Sequence, residues 1–129
     1  MKATKDMFKT KAEKCAKEII NWLIKNEMWI DTFVYVNGKR YGCSDGTHYH
    51  YDNTWDCVFV EDNMDPHDYF EYAGDFLSMS FEGPLYEVLN CGWEFKHYEK
   101  LEQEFSKICE KYGKYYELGN AWNCSLHSV

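Results

Sequence analysis

The chain has 129 residues, of which 45% are hydrophobic and 19% aromatic, and its formal net charge at pH 7 is −8. This length is typical of one globular domain with its own core, and the composition excludes an intrinsically disordered chain. No apolar run is long enough to span a bilayer, and acids interrupt the N-terminal lysines. We therefore expect a single domain over residues 1–129 in the cytoplasm, without a signal peptide or membrane contact.

The charges are separated along the sequence. Residues 1–40 carry a net charge of +4, residues 41–95 contain twelve acids and no lysine or arginine, and residues 96–129 are neutral overall. A segment of this kind repels itself, and a positively charged partner would offset the repulsion. The layout favours a basic partner. It disfavours direct binding of nucleic acid, because only the lysines of the first predicted helix would meet phosphate.

The N-terminal third predicts a helix followed by a hairpin. Between Thr4 and Glu27, apolar residues recur three and four positions apart, which is the period of an amphipathic helix. Residues 29–36, WIDTFVYV, are β-branched and aromatic, as is typical of a strand. Asn37-Gly38 then favours a tight turn, because both positions accept positive φ, and KRYGC forms the return strand.

The stretch CSDGTHYHYDNTWDC, residues 43–57, is the part of the chain that resembles a metal site. Residues 47–60, THYHYDNTWDCVFV, favour one or two strands with a break near Asp52-Asn53. Alternate residues of a strand share a face, so His48, His50 and Asp52 would lie together. Zinc requires at least three protein ligands; Asp52 is positioned as the third, and other residues could take that place after folding. The candidates for that role are Asp45, Asp56 and His67.

A competing interpretation of the same stretch places Tyr49 and Tyr51 in the core and leaves the histidines facing water. We favour it, because a His-x-His pair without a fixed third ligand is a weak signal. The sequence therefore predicts no bound metal and no cofactor.

The segment that follows predicts a short helix, a strand and another short helix. NMDPHDYFEYAG begins with Asp65 as an N-cap and Pro66 at the first helical position, and Gly74 closes it. FLSMSFE alternates as a strand, with its serines on one face and larger apolar residues on the other. After the Gly83-Pro84 break, PLYEVLN favours a short helix.

The C-terminal third predicts a long helix over residues 94–112, ended by Gly113, and a hairpin of KYYEL and AWNCSLH around Gly119-Asn120. The predicted strands come in hairpins and do not alternate singly with helices. That order is typical of an α+β fold with a mostly antiparallel sheet. We expect the long N-terminal helix and the helix near residues 94–112 to pack on one face of this sheet.

Six cysteines are present, and none forms a C-x-x-C pair. Cys15 and Cys109 fall on the apolar stripes of the two long helices, where cysteine behaves as a small hydrophobic residue. We expect all six thiols to be reduced, in keeping with a cytoplasmic protein.

The preferred function is that of a small acidic interaction protein that binds a basic partner surface without catalysis. Examples are an immunity protein for a toxin and a phage-type anti-defence inhibitor. Spaced three apart, Asp65, Asp68 and Glu71 would lie near one face of the predicted short helix. The candidate contact residues are Glu61, Asp62, Asp65, Asp68, Tyr69, Glu71, Tyr72 and Asp75.

Three alternatives stay open. A nucleotide-like small ligand would bind in an aromatic pocket with Asn90, Asn120 and Trp122. A metal-dependent enzyme would use His48 and His50, although the chain contains no phosphate-binding loop, dinucleotide motif or nucleophile elbow. A homodimer would place the lysines of the first helix against the acidic middle of a second copy.

Overall fold

The computed structural model describes residues 1–91 and 94–129 of the chain. Within these residues the chain forms three α-helices and six β-strands, with 3₁₀ turns at Lys5–Met7, Trp55–Cys57 and Pro66–Asp68. The elements in chain order are α1 (Lys11–Lys25), β1 (Thr32–Val36), β2 (Lys39–Gly42), β3 (Phe59–Asp62), β4 (Leu77–Phe81), α2 (Pro84–Cys91), α3 (Lys96–Lys111), β5 (Lys114–Asn120) and β6 (Asn123–Ser128).

The strands form one sheet in the order β3-β2-β1-β4-β6-β5, and all neighbouring strands are antiparallel. The predicted α+β architecture is confirmed. Asn37 and Gly38 join β1 to β2 with φ angles of 49° and 74°, as the predicted tight turn requires. The turn between β5 and β6 lies at Ala121-Trp122, two residues later than predicted.

The helices cover one face of the sheet, as predicted. α1 packs against β1, and α3 packs against α1 and β5. Trp22 of α1 stacks on Phe105 of α3 with ring centroids 5.5 Å apart, and Phe105 also contacts Tyr116 of β5. The core lies between the helices and the sheet. Five thiols, including those of Cys15 and Cys109, are buried, Cys91 is half-buried, and none is in a disulfide.

The first helix is shorter than predicted, because it begins at Lys11 and not near Thr4. The Thr10 side chain accepts a hydrogen bond from the Glu13 N–H at 3.2 Å, and the Glu13 carboxylate accepts one from the Thr10 N–H at 2.9 Å. This capping box fixes the start of α1. The first three residues instead pair with β3: the Val60 N–H donates to the Met1 carbonyl at 2.7 Å.

The predicted strand over residues 47–60 is wrong before Phe59. Residues 44–58 form a loop with one isolated bridge and a 3₁₀ turn. The buried Trp29 organises this loop, because its indole N–H donates to the Cys57 carbonyl and its backbone N–H donates to the Asn53 side chain, both at 2.9 Å. The inward packing expected for Tyr49 and Tyr51 is also wrong, since their exposed fractions are 53% and 55%.

The predicted short helix after β3 is wrong except for its first turn. Asp65 caps the 3₁₀ turn Pro66–Asp68 as predicted, but Tyr69 to Phe76 are irregular. Asp65, Asp68 and Glu71 therefore do not share a helix face. None of the helices among the described residues has the length and apolar character that a bilayer-spanning segment requires.

Candidate functional site

Residues 63–76, which connect β3 to β4, cross the sheet face that the helices leave uncovered; we call this segment the strap. At its start, the Met64 N–H donates to the carbonyl of Gly38 at 2.9 Å. At its end, the Gly74 N–H lies 2.9 Å from the hydroxyls of both Ser78 and Ser125. The strap therefore runs from the β1–β2 turn to β6 before it enters β4.

Aromatic contacts hold the strap flat against the sheet. Phe70 is only 6% exposed and packs edge-on against Tyr35 and Trp122, with centroid distances of 5.6 and 6.0 Å. Tyr69 lies over Tyr35 at 5.8 Å. Ser78 and Ser125 are fully buried and lie 2.8 Å apart, which links β4 to β6 below the strap. The strap is thus anchored along its length by packing and hydrogen bonds.

The strap presents its charged side chains to solvent. The exposed carboxylates on it and at the end of β3 are those of Asp62, Asp65, Asp68, Glu71 and Asp75. Between them lie Tyr69 and Tyr72, which are 47% and 64% exposed. The sequence places no lysine or arginine in this segment. The strap therefore presents most of the predicted partner-binding residues as exposed groups, whereas Asp62 lies in register with Lys39 at the end of β3 and alternates to the other face of the sheet.

Glu61 is a second exception, because its carboxylate is paired within the molecule. It accepts a hydrogen bond from the Arg40 guanidinium at 2.8 Å. The same guanidinium lies over the rings of Phe33 and Tyr69, 4.6 and 5.3 Å from their centroids. Glu61 and Arg40 thus support the strap from below and do not add a free negative charge to its surface.

Asp65 and His67 form a pair at the start of the strap. The Asp65 carboxylate accepts the His67 backbone N–H at 2.9 Å and lies 2.8 Å from Nδ1 of that ring. These hydrogen bonds lower the pKa of Asp65, and the bond to Asp65 raises the pKa of His67. The pair borders a cavity of about 320 Å³ that Asp75 and Asn37 also line. The acidic surface therefore contains a concave, polar part.

The lysines lie mostly in the opposite layer of the molecule. Eight of the fourteen lysine and arginine residues belong to α1 and α3, where most are exposed. Because these helices cover the other face of the sheet, most of the lysines lie on the far side from the strap. The four lysines of α3 are balanced by four acids, so the helix layer is close to neutral while the strap is acidic.

The metal candidates do not converge. The Asp45 carboxylate binds His50 Nε2 at 2.8 Å and accepts the backbone N–H groups of Thr47 and His48 at 2.8 and 2.7 Å. These bonds, the one from His50 first, hold the pKa of Asp45 well below its usual range. No group of three histidine, cysteine or acidic residues in the described ranges is arranged to hold a metal, and Asp52 joins none.

The three candidates for a small-ligand site, Asn90, Asn120 and Trp122, do not act alike in the structure. The Asn90 side chain donates to the Ala121 carbonyl at 2.7 Å, and the Asn120 side chain accepts the Trp122 backbone N–H at 3.0 Å. Both asparagines therefore support the β5–β6 turn. The Trp122 ring, in contrast, contacts the strap and also borders a second, smaller cavity on the open face.

Arg40 and the Ser78–Ser125 pair are the supporting residues that the sequence did not reveal. The alternation of β4 showed that Ser78 lies on a polar face. That Ser125 of β6 is its partner follows only from the order of strands in the sheet. Arg40 is the last cation before the acidic block. That position in the sequence was the one available signal of its role.

No protein-family model matches this sequence, and no curated protein or solved structure is significantly similar to it. The functional interpretation therefore depends on the geometry and charge of the strap.

Proposed function

We propose that this protein is a small acidic interaction protein that binds a basic surface of another protein, without catalysis, through the strap. The observation that carries the proposal is the set of four exposed carboxylates and two exposed tyrosines on the strap, with no lysine or arginine in that segment. A face of one sign steers an oppositely charged partner and raises the association rate.

The tyrosines provide the affinity that surface charges alone do not. Exposed ion pairs contribute little individually, whereas aromatic side chains in the middle of an interface often dominate its binding energy. Tyr69 and Tyr72 each stand next to an acid in the sequence and are exposed, so a partner bound to the strap would cover them. The anchoring of the strap also reduces the entropy lost on binding.

The class of partner follows from the same charge. A toxin with a basic active surface or a defence protein with a nucleic-acid-binding groove presents closely spaced lysines and arginines. An immunity protein or a phage-type anti-defence inhibitor would occupy such a surface. Six unpaired thiols support action in a reducing compartment such as the cytoplasm.

Affinity capture from lysate of the native host tests the proposal, followed by binding measurements with the purified partner. The test variant neutralises the strap with Asp65→Asn, Asp68→Asn and Glu71→Gln. The control variant carries Glu94→Gln, Glu99→Gln and Glu110→Gln, which changes the net charge equally at exposed positions in and just before α3.

We expect the wild type and the α3 control to retain the same basic protein and the strap variant to lose it. Equal retention by the strap variant, with its fold intact by circular dichroism, would refute the proposal. A mass spectrum showing a second copy of the chain as the sole captured protein would favour the homodimer instead.

A further inference from the structure

A second cavity, of about 150 Å³, lies on the open sheet face beside the strap. Its walls include the aromatic rings of Phe33, Tyr49 and Trp122, and the acids Asp31 and Glu82 also line it. Trp122 contacts Phe70 of the strap, so the cavity and the acidic surface are continuous. Neither Phe33 nor Tyr49 belongs to any site described above for a partner.

The backbone places Asp31 and Glu82 next to each other at this cavity. The Glu82 N–H donates to the Asp31 carbonyl at 3.1 Å. The next residue must be glycine, because a Cβ at Gly83 would lie 2.3 Å from the Ile30 carbonyl oxygen. Within the described ranges, neither the Asp31 nor the Glu82 carboxylate has an ion-pair or side-chain hydrogen-bond partner. Two carboxylates without a partner thus line the same cavity as Tyr49 and Trp122, beside the Phe33 ring that Arg40 also contacts.

The size and chemistry of the cavity select a cationic head group. Pockets for nucleotide-sized ligands measure roughly 300–1,000 Å³, so a volume of about 150 Å³ fits the end of a side chain. Aromatic rings attract cations through their negative faces, and a planar guanidinium stacks on such rings while it binds carboxylates with several N–H groups. Arg40 is bound in this way on the same face, between two rings and Glu61.

We infer that this cavity binds the guanidinium of an arginine side chain. The origin of that arginine in the basic partner rests on the proposed function, whereas the affinity of the cavity for a guanidinium does not. The arginine would place its charge between Asp31 and Glu82 and its planar group against the aromatic walls. It would add a specific anchor to the less specific attraction of the strap.

The test uses the isolated full chain and N-acetyl-arginine N-methylamide as the probe. Binding is followed by NMR through the Trp122 indole N–H and the backbone amides of residues 31–33. We expect a saturable shift with the arginine probe and none with the uncharged citrulline analogue, which has nearly the same shape. The double variant Asp31→Asn, Glu82→Gln should lower the affinity for the arginine probe by at least about fivefold.

Three results would overturn the inference: no saturable shift, an equal shift with citrulline, or equal affinity for the lysine analogue, which would indicate a general cation site. Asn tolerates the positive φ of 55° at position 31, so the double variant should keep its fold.

The strap variant used above separates this inference from the proposed function. It should bind the probe as the wild type does. For the wild type, probe binding without capture of a basic protein would contradict only the proposed function, and capture without probe binding would contradict only the arginine site.

Discussion

Arg40 shows how one residue supports a whole surface. It lies beneath the strap, where it pairs with Glu61 and packs on Phe33 and Tyr69. An arginine in such a position contributes through packing as well as charge. Its loss would leave the Glu61 carboxylate half-buried and without its partner.

We predict that Arg40→Ala lowers the free energy of unfolding by about 2 kcal/mol, since it removes both packing and a partly buried ion pair. The neighbouring Lys39→Ala removes a side chain that forms no ion pair in the described part of the chain, and it should change stability by less than roughly 0.5 kcal/mol. Urea denaturation measures both. Equal effects would show that Arg40 has no special role.

The second prediction at this scale concerns the Asp65–His67 pair. We expect an NMR titration to give His67 a pKa above its ordinary value of about 6.5, and we expect Asp65→Asn to return it toward that value. Asp68→Asn, which removes a carboxylate that forms no hydrogen bond with His67, is the control and should leave that pKa raised. An unchanged His67 pKa in the variant would show that the hydrogen bond does not form in solution.

The sign of the linkage fixes the pH dependence of the pair. The raised pKa of His67 adds stability that is complete below its unfolded pKa and is lost as pH rises through the folded pKa. The lowered pKa of Asp65 adds stability that is present above its unfolded pKa and is lost as pH falls. The pair is therefore most stabilising between pH of about 4 and 6.5. Deprotonation of His67 above this window makes the strap more negative.

At the scale of elements, the sequence was informative wherever local pattern and tertiary packing agree. The helices α1 and α3 were predicted from apolar residues spaced three and four apart, and the β1–β2 turn from Asn37-Gly38. Each of these features depends on residues close in sequence. The loop over residues 44–58 and the strap were not predicted. The loop is held by Trp29, through hydrogen bonds to residues more than twenty positions away. The path of the strap depends on the packing of Phe70 against Tyr35.

The start of α1 gives a prediction of its own. Thr10→Ala should lower the free energy of unfolding by about 1 kcal/mol, since it removes an N-cap hydrogen bond. It also removes the acceptor of the Asn37 side chain, 3.0 Å away, which ties the β1–β2 turn to the helix. Thr4→Ala, in the exposed 3₁₀ turn, is the matched control and should cost less. Thermal denaturation of both variants decides whether Thr10 is the cap.

For the whole molecule, the notable feature is that the fold places the cation-free strap on one side of the sheet and eight of the fourteen lysine and arginine residues on the other. The sequence alone showed a block of residues 41–95 without a cation. It did not show that the strap would lie across the open face, or that the lysines of α1 and α3 would lie behind the sheet. That arrangement depends on sheet order, which brings β4 between β1 and β6.

The last prediction follows from this polarity. Charges are screened over about 30 Å at 0.01 M salt and about 8 Å at 0.15 M, so only at low salt does the whole acidic face act on an approaching protein. We expect the association rate with the captured basic partner to fall steeply over this range, while the dissociation rate changes little. The association rate of the strap variant should depend less steeply on salt concentration, whereas that of the α3 control should depend on it as the wild-type rate does. Stopped-flow measurements at several salt concentrations provide the rates, and identical slopes for all three proteins would show that the strap does not steer association.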